Sequence, residues 1–122
     1  MMADLTTFGT LANSISEQRN GAEPTIPAHI EMYDKLEPDV RAYAAVCAAL
    51  HHELILYDTR HSAEHDQTNK TLQNVDNEAM RADLLLKQIA VARRLRSMNG
   101  QQRFTAWEQD MQPLLDQEKG LD

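Results

Sequence analysis

A chain of 122 residues with 19 acids against 12 bases and a formal charge of −7 fits one small domain rather than a two-domain enzyme. The acidic balance argues against general affinity for nucleic acid or anionic lipid, and the single cysteine excludes an internal disulfide. No stretch approaches 18 apolar residues, and Met1-Met2-Ala3-Asp4-Leu5 lacks the basic region and apolar run of a secretion signal. The expectation is therefore a cytoplasmic chain with no membrane partner.

Leu5, Phe8, Leu11, Ala12 and Ile15 recur at three- and four-residue spacing, which predicts a one-sided helix over about 4–20 ended at Asn20-Gly21. Residues 21–27, with Gly21, Pro24 and Pro27, read as a linker. Pro27 is suited to open a short helix over 28–37 carrying Ile30, Tyr33 and Leu36, and Pro38 to begin the next.

From Asp39 to Asn99 the chain runs 61 residues without glycine or proline. As one rod this would extend roughly 90 Å at ~1.5 Å per residue, so the run must fold back on itself. Its first arm, 39–66, places Val40, Cys47 and Leu54 at sevens, with Tyr43, Leu50 and Tyr57 three residues after each. Cys47 lies among apolar neighbours and reads as a packing residue. Asp66, Thr68, Asn69, Thr71, Asn74, Asp76 and Asn77 are poor helix formers, which predicts the reversal within 67–77. A second arm over 77–99 then carries Met80, Leu84, Leu85, Ile89, Leu95 and Met98. Phe104, Trp107, Met111 and Leu114 give a last one-sided helix over 102–118, which Pro113 should kink or interrupt. The architecture is thus all-α: an antiparallel helical hairpin within a small bundle of about four main helices.

Four of the five histidines fall between 51 and 65. On a helix Asp58, His61 and His65 stand at i, i+3 and i+7, a carboxylate and an imidazole pair suited to Zn²⁺ or another divalent transition metal. Closing such a site needs further ligands, for which His29, Glu31 and Asp34 are candidates. The His-Glu-x-x-His order of zinc proteases and the duplicated Glu-x-x-His of di-iron bundles are both lacking, as are phosphate loops and nucleophile elbows. No catalytic residue, no resident cofactor and no enzymatic activity are expected.

Arg81 to Arg103 holds six bases against Asp83 alone, a local +5 that leaves −12 on the rest of the chain. Arg93, Arg94 and Arg96 could meet phosphates, the basis of a nucleic-acid alternative, or acidic helices of the chain itself. Phe104, Trp107, Met111 and Leu114 form a candidate partner-binding stripe, joined by the same three arginines. Ser97-Met98-Asn99-Gly100-Gln101-Gln102-Arg103-Phe104 resembles, over those eight residues, the Leu-Thr-x-x-Gln-Arg segment of small periplasmic helical-hairpin stress and metal-sensing proteins. The Leu-Thr pair of that segment is absent here. Since every predicted helix has an apolar side and the chain is short, the expected role is non-enzymatic: binding a protein partner or a second copy, as an adaptor, chaperone or inhibitor. Metal binding through Asp58, His61 and His65 is the alternative.

Overall fold

The structure, a computed structural model, describes residues 5–121. Helix α1 spans Leu5–Asn20, as its periodicity predicts, and Asp4 lies outside the described residues. Helix α2 spans Ile26–Arg60, 35 residues or about 52 Å. Thr25 caps it, its hydroxyl accepting from the Ala28 amide at 3.2 Å while Pro27 occupies the first turn, where a missing N–H is harmless.

Pro38 does not separate two helices as expected; α2 runs through it. The ring forfeits one backbone hydrogen bond, to the carbonyl of residue 34, and burial on both sides of it compensates. Tyr33, Leu36, Val40 and Tyr43 are all core residues, so breaking the helix there would expose more than the lost bond costs.

The reversal lies at 61–64, not 67–77. His61 leaves helical geometry at φ −129°, ψ 57°, and Ser62–Glu64 form a single 3₁₀ turn. Helix α3 then spans His65–Leu95 and absorbs the whole Thr- and Asn-rich stretch. Each such residue costs only tenths of a kcal/mol in helical propensity, and pairing along α2 outweighs the sum. The turn closes through side chains: Tyr57 OH donates to Glu64, and Asp58 accepts from His65.

Helix α4 spans Gly100–Ala106, capped by Asn99, whose side chain accepts from the Gln102 amide at 3.2 Å. A π turn over Trp107–Met111 follows, and α5 spans Gln112–Lys119. The Gln112 amide reaches back five residues to the Trp107 carbonyl, which delivers Pro113 into the first turn of α5. Pro113 therefore re-registers the rod through one wide turn and does not end it. Arg103 joins rod and hairpin by donating to the Leu95 and Arg96 carbonyls at 3.2 and 3.0 Å, at the negative end of α3.

The described residues contain no strand. Helix α1 packs on α2, the C-terminal rod packs on α3, and one core joins them through Leu36, Val40, Cys47, Leu85, Ile89, Leu95 and Met111. That core stops halfway along the hairpin. From His51 to Asn74 the one buried residue is Thr68.

Candidate interaction surfaces

The polar groups inside the bundle converge on Glu118. Tyr33 OH donates to Gln88 Oε1 at 2.6 Å, Gln88 Nε2 donates to Glu118 Oε1 at 2.8 Å, and Arg19 donates to Glu118 Oε2. Arg81 Nη1 stands 4.0 Å from the same carboxylate, and Tyr43 OH donates to Glu78 at 2.9 Å. Burial, which opposes the Arg19 charge, is overcome by Glu118, and the guanidinium pKa rises; burial pushes the Tyr33 hydroxyl up to about 12. A cleft of about 390 Å³ opens beside Arg19, Arg81, Glu78 and Tyr43. Its charged groups pair with one another, and the network acts as a clasp holding α5 against α1, α2 and α3.

Of the three residues proposed to share a metal ion, two meet. His65 Nδ1 donates to Asp58 Oδ1 at 2.9 Å, and this hydrogen bond raises the imidazole pKa above 6.5. His61 caps α2 and stacks on Tyr57, ring centroids 4.3 Å apart. His29 lies about 48 Å from His61 at helical rise, donating to the Thr25 carbonyl, and Asp34 pairs with Arg96, so neither can complete a site at the turn. No three His, Cys, Asp or Glu among the described residues are grouped to hold a metal ion. The pairs instead staple the hairpin, with His51 Nδ1 donating to Asp76 at 2.8 Å as a second link.

The C-terminal stripe is divided by its packing. Met111 is wholly buried, which removes it from the partner-binding set; Trp107 sits half-buried against the edge of His29, centroids 5.6 Å apart. Leu114 is half-buried and Phe104 exposed. The basic arm is answered within the chain: Arg93 pairs with Glu37, Arg94 with Asp110 and Arg96 with Asp34. Its arginines hold α3 to α2 and to the C-terminal rod, and Arg93 keeps the Glu37 carboxyl below its usual range.

The surface with no answer inside the chain is the outer side of α2. At 3.6 residues per turn, Arg41, Ala45, Ala48, His52, Ile55, Leu56 and Thr59 fall within a sector of about 100°, turned away from the core stripe Val40–Tyr43–Cys47–Leu50. All seven are exposed, as is Ala42 at the sector's edge, with Ile55 at 45% and Leu56 at 43%. No Asp, Glu, Lys or Arg occurs from residue 42 to 52. A water-facing helix surface normally carries charge every turn, and α2 is instead apolar on both sides here. The inner heptads of α2 do not disclose this surface; its signal in the sequence is the eleven consecutive residues free of fixed charge.

No family model, no curated protein and no solved structure matches the chain. Among the described residues no helix is long and apolar enough to cross a membrane.

Proposed function

We propose that the chain is a non-enzymatic, protein-binding helical module whose binding surface is the outer face of α2. One observation supports this reading: over 42–56 that face presents Ala42, Ala45, Ala48, Ile55 and Leu56 to water with no fixed charge among them. Flat, small-residue helix faces allow close approach of a second helix, and a contiguous apolar strip on a chain this acidic is what an interface would leave when its partner is removed. The clasp around Glu118 and the arginine pairs fit the same role, since they rigidify the scaffold that presents α2.

The experiment is affinity capture from the source cell with the full chain and with Ala45→Glu/Ile55→Glu, both confirmed helical by circular dichroism. A species retained by the first and lost by the second supports the reading. Equal retention of every species by both overturns it.

A further inference from the structure

Resting on that reading, we infer that the occupant of the α2 face is a second copy of this chain, bound through the same face with the two α2 helices antiparallel. The strip is tapered. Inside its terminal pair, Arg41 and Thr59, its N-terminal half is small, with Ala42, Ala45 and Ala48, and its C-terminal half is bulky, with His52, Ile55 and Leu56. A two-fold axis beside residue 50 sets position i opposite position 100 − i, so each bulky residue of one copy meets a small one of the other. Ala45 faces Ile55, Ala48 faces His52 and Arg41 faces Thr59, each pair occurring twice by symmetry. On the flank, where opposed positions are offset and sum to about 98, Ala42 meets Leu56 and Ala49 meets its own counterpart near the axis.

The spacing supports this layering. Arg41, Ala45, Ala48, His52, Ile55 and Thr59 alternate by four and three, the pattern of a two-helix seam, and extend over about 27 Å. A parallel pair would set Ala45 on Ala45 and Ile55 on Ile55, leaving voids at one end and crowding at the other. Charge points the same way. Each chain carries −7, yet the strip holds no acid, so two copies meet there without local repulsion, and a strongly charged foreign surface would find no counter-charge. One helix face per copy is smaller than the 20–30 residues a side typical of tight complexes, so the association is expected to be concentration-dependent.

The test is sedimentation equilibrium of the purified full chain from about 1 μM to about 1 mM, spanning weak to moderate affinities. The mass should rise from 13.9 kDa towards twice that value. Ala45→Glu, on an exposed helical position where folding is not at stake, should raise the dissociation constant at least about tenfold. The orientation is read by oxidising mixed cysteine variants. Ala45→Cys chains should cross-link to Ile55→Cys chains faster than either links to itself, while Cys47 is buried, its thiol pushed up to about 11 by burial, and stays out of the reaction.

A chain that stays monomeric throughout, a dimer indifferent to Ala45→Glu, or faster linking of Ala45→Cys to itself overturns the inference. A monomeric chain whose cellular partner is nevertheless lost in Ala45→Glu/Ile55→Glu overturns the second copy and leaves the binding surface standing.

Discussion

The two arms of the hairpin share an inner face and differ outside in how often charge interrupts the exposed surface. On α3 the water-facing positions interleave charged residues, Asp83, Lys87, Arg93 and Arg94, with the exposed Met80 and Ala90, and Lys87 Nζ stands 3.1 Å from Asp83 across one turn. On α2 the corresponding side between Arg41 and Thr59 is alanine, isoleucine and leucine with His52 as its one polar residue. Burial against the partner arm explains the inner faces of both. Regular charge along α3 suits a face turned to water, and its scarcity along α2 is the contrast on which the proposed binding surface rests.

The inner faces should respond alike. Leu36→Ala on α2 and Leu85→Ala on α3, both in the core, should each cost about 2–5 kcal/mol in denaturant unfolding; a loss confined to one arm would mean the hairpin does not share a core. Glu118→Ala removes the acceptor of the clasp and leaves Arg19 and Gln88 without their buried partner, an expected loss of about 2–4 kcal/mol by the same measurement. The outer faces should then diverge. Ala45→Glu should leave monomer stability within ~0.5 kcal/mol while weakening association, whereas Asp83→Ala with Lys87→Ala should change stability by a similarly small ~0.5 kcal/mol and leave association untouched.

The smallest effect is at the turn, where the two arms meet. Because Asp58 raises the His65 pKa above its unfolded value near 6.5, the link is fully present below that pH and fades as pH rises through the folded value. Asp58→Asn should return the imidazole midpoint towards 6.5 in an NMR titration; an unchanged midpoint would show that the carboxylate is not what holds the proton.

How much of this the sequence disclosed depended on which force decided each feature. The all-helical hairpin was readable from the glycine- and proline-free run, because backbone entropy and apolar period act locally there. The position of the reversal was not. The residues that make it, His61 to Glu64, include no glycine or proline, and they turn because Tyr57, Asp58, Glu64 and His65 find one another across the bend. Pro38 misleads because the core around Leu36 and Val40 outweighs its lost hydrogen bond, whereas Pro113 does interrupt the last helix as its chemistry predicts, through the π turn that precedes it. Composition alone leaves the basic arm readable as internal or external, and the structure adds that Arg93, Arg94 and Arg96 pair with Glu37, Asp110 and Asp34 of the chain itself. Helical spacing sets His61 beside Asp58 and His65 only if the helix continues, and α2 stops at Arg60.

The most direct measurement compares thiol modification at Ala48→Cys, on the outer face of α2, with that at Ala90→Cys, an exposed position on α3, using a small polar maleimide as protein concentration is raised. Ala48→Cys should become progressively protected while Ala90→Cys keeps a constant rate. Equal and unchanging rates at both positions would show that the alanine face of α2 meets only water, and would contradict the account.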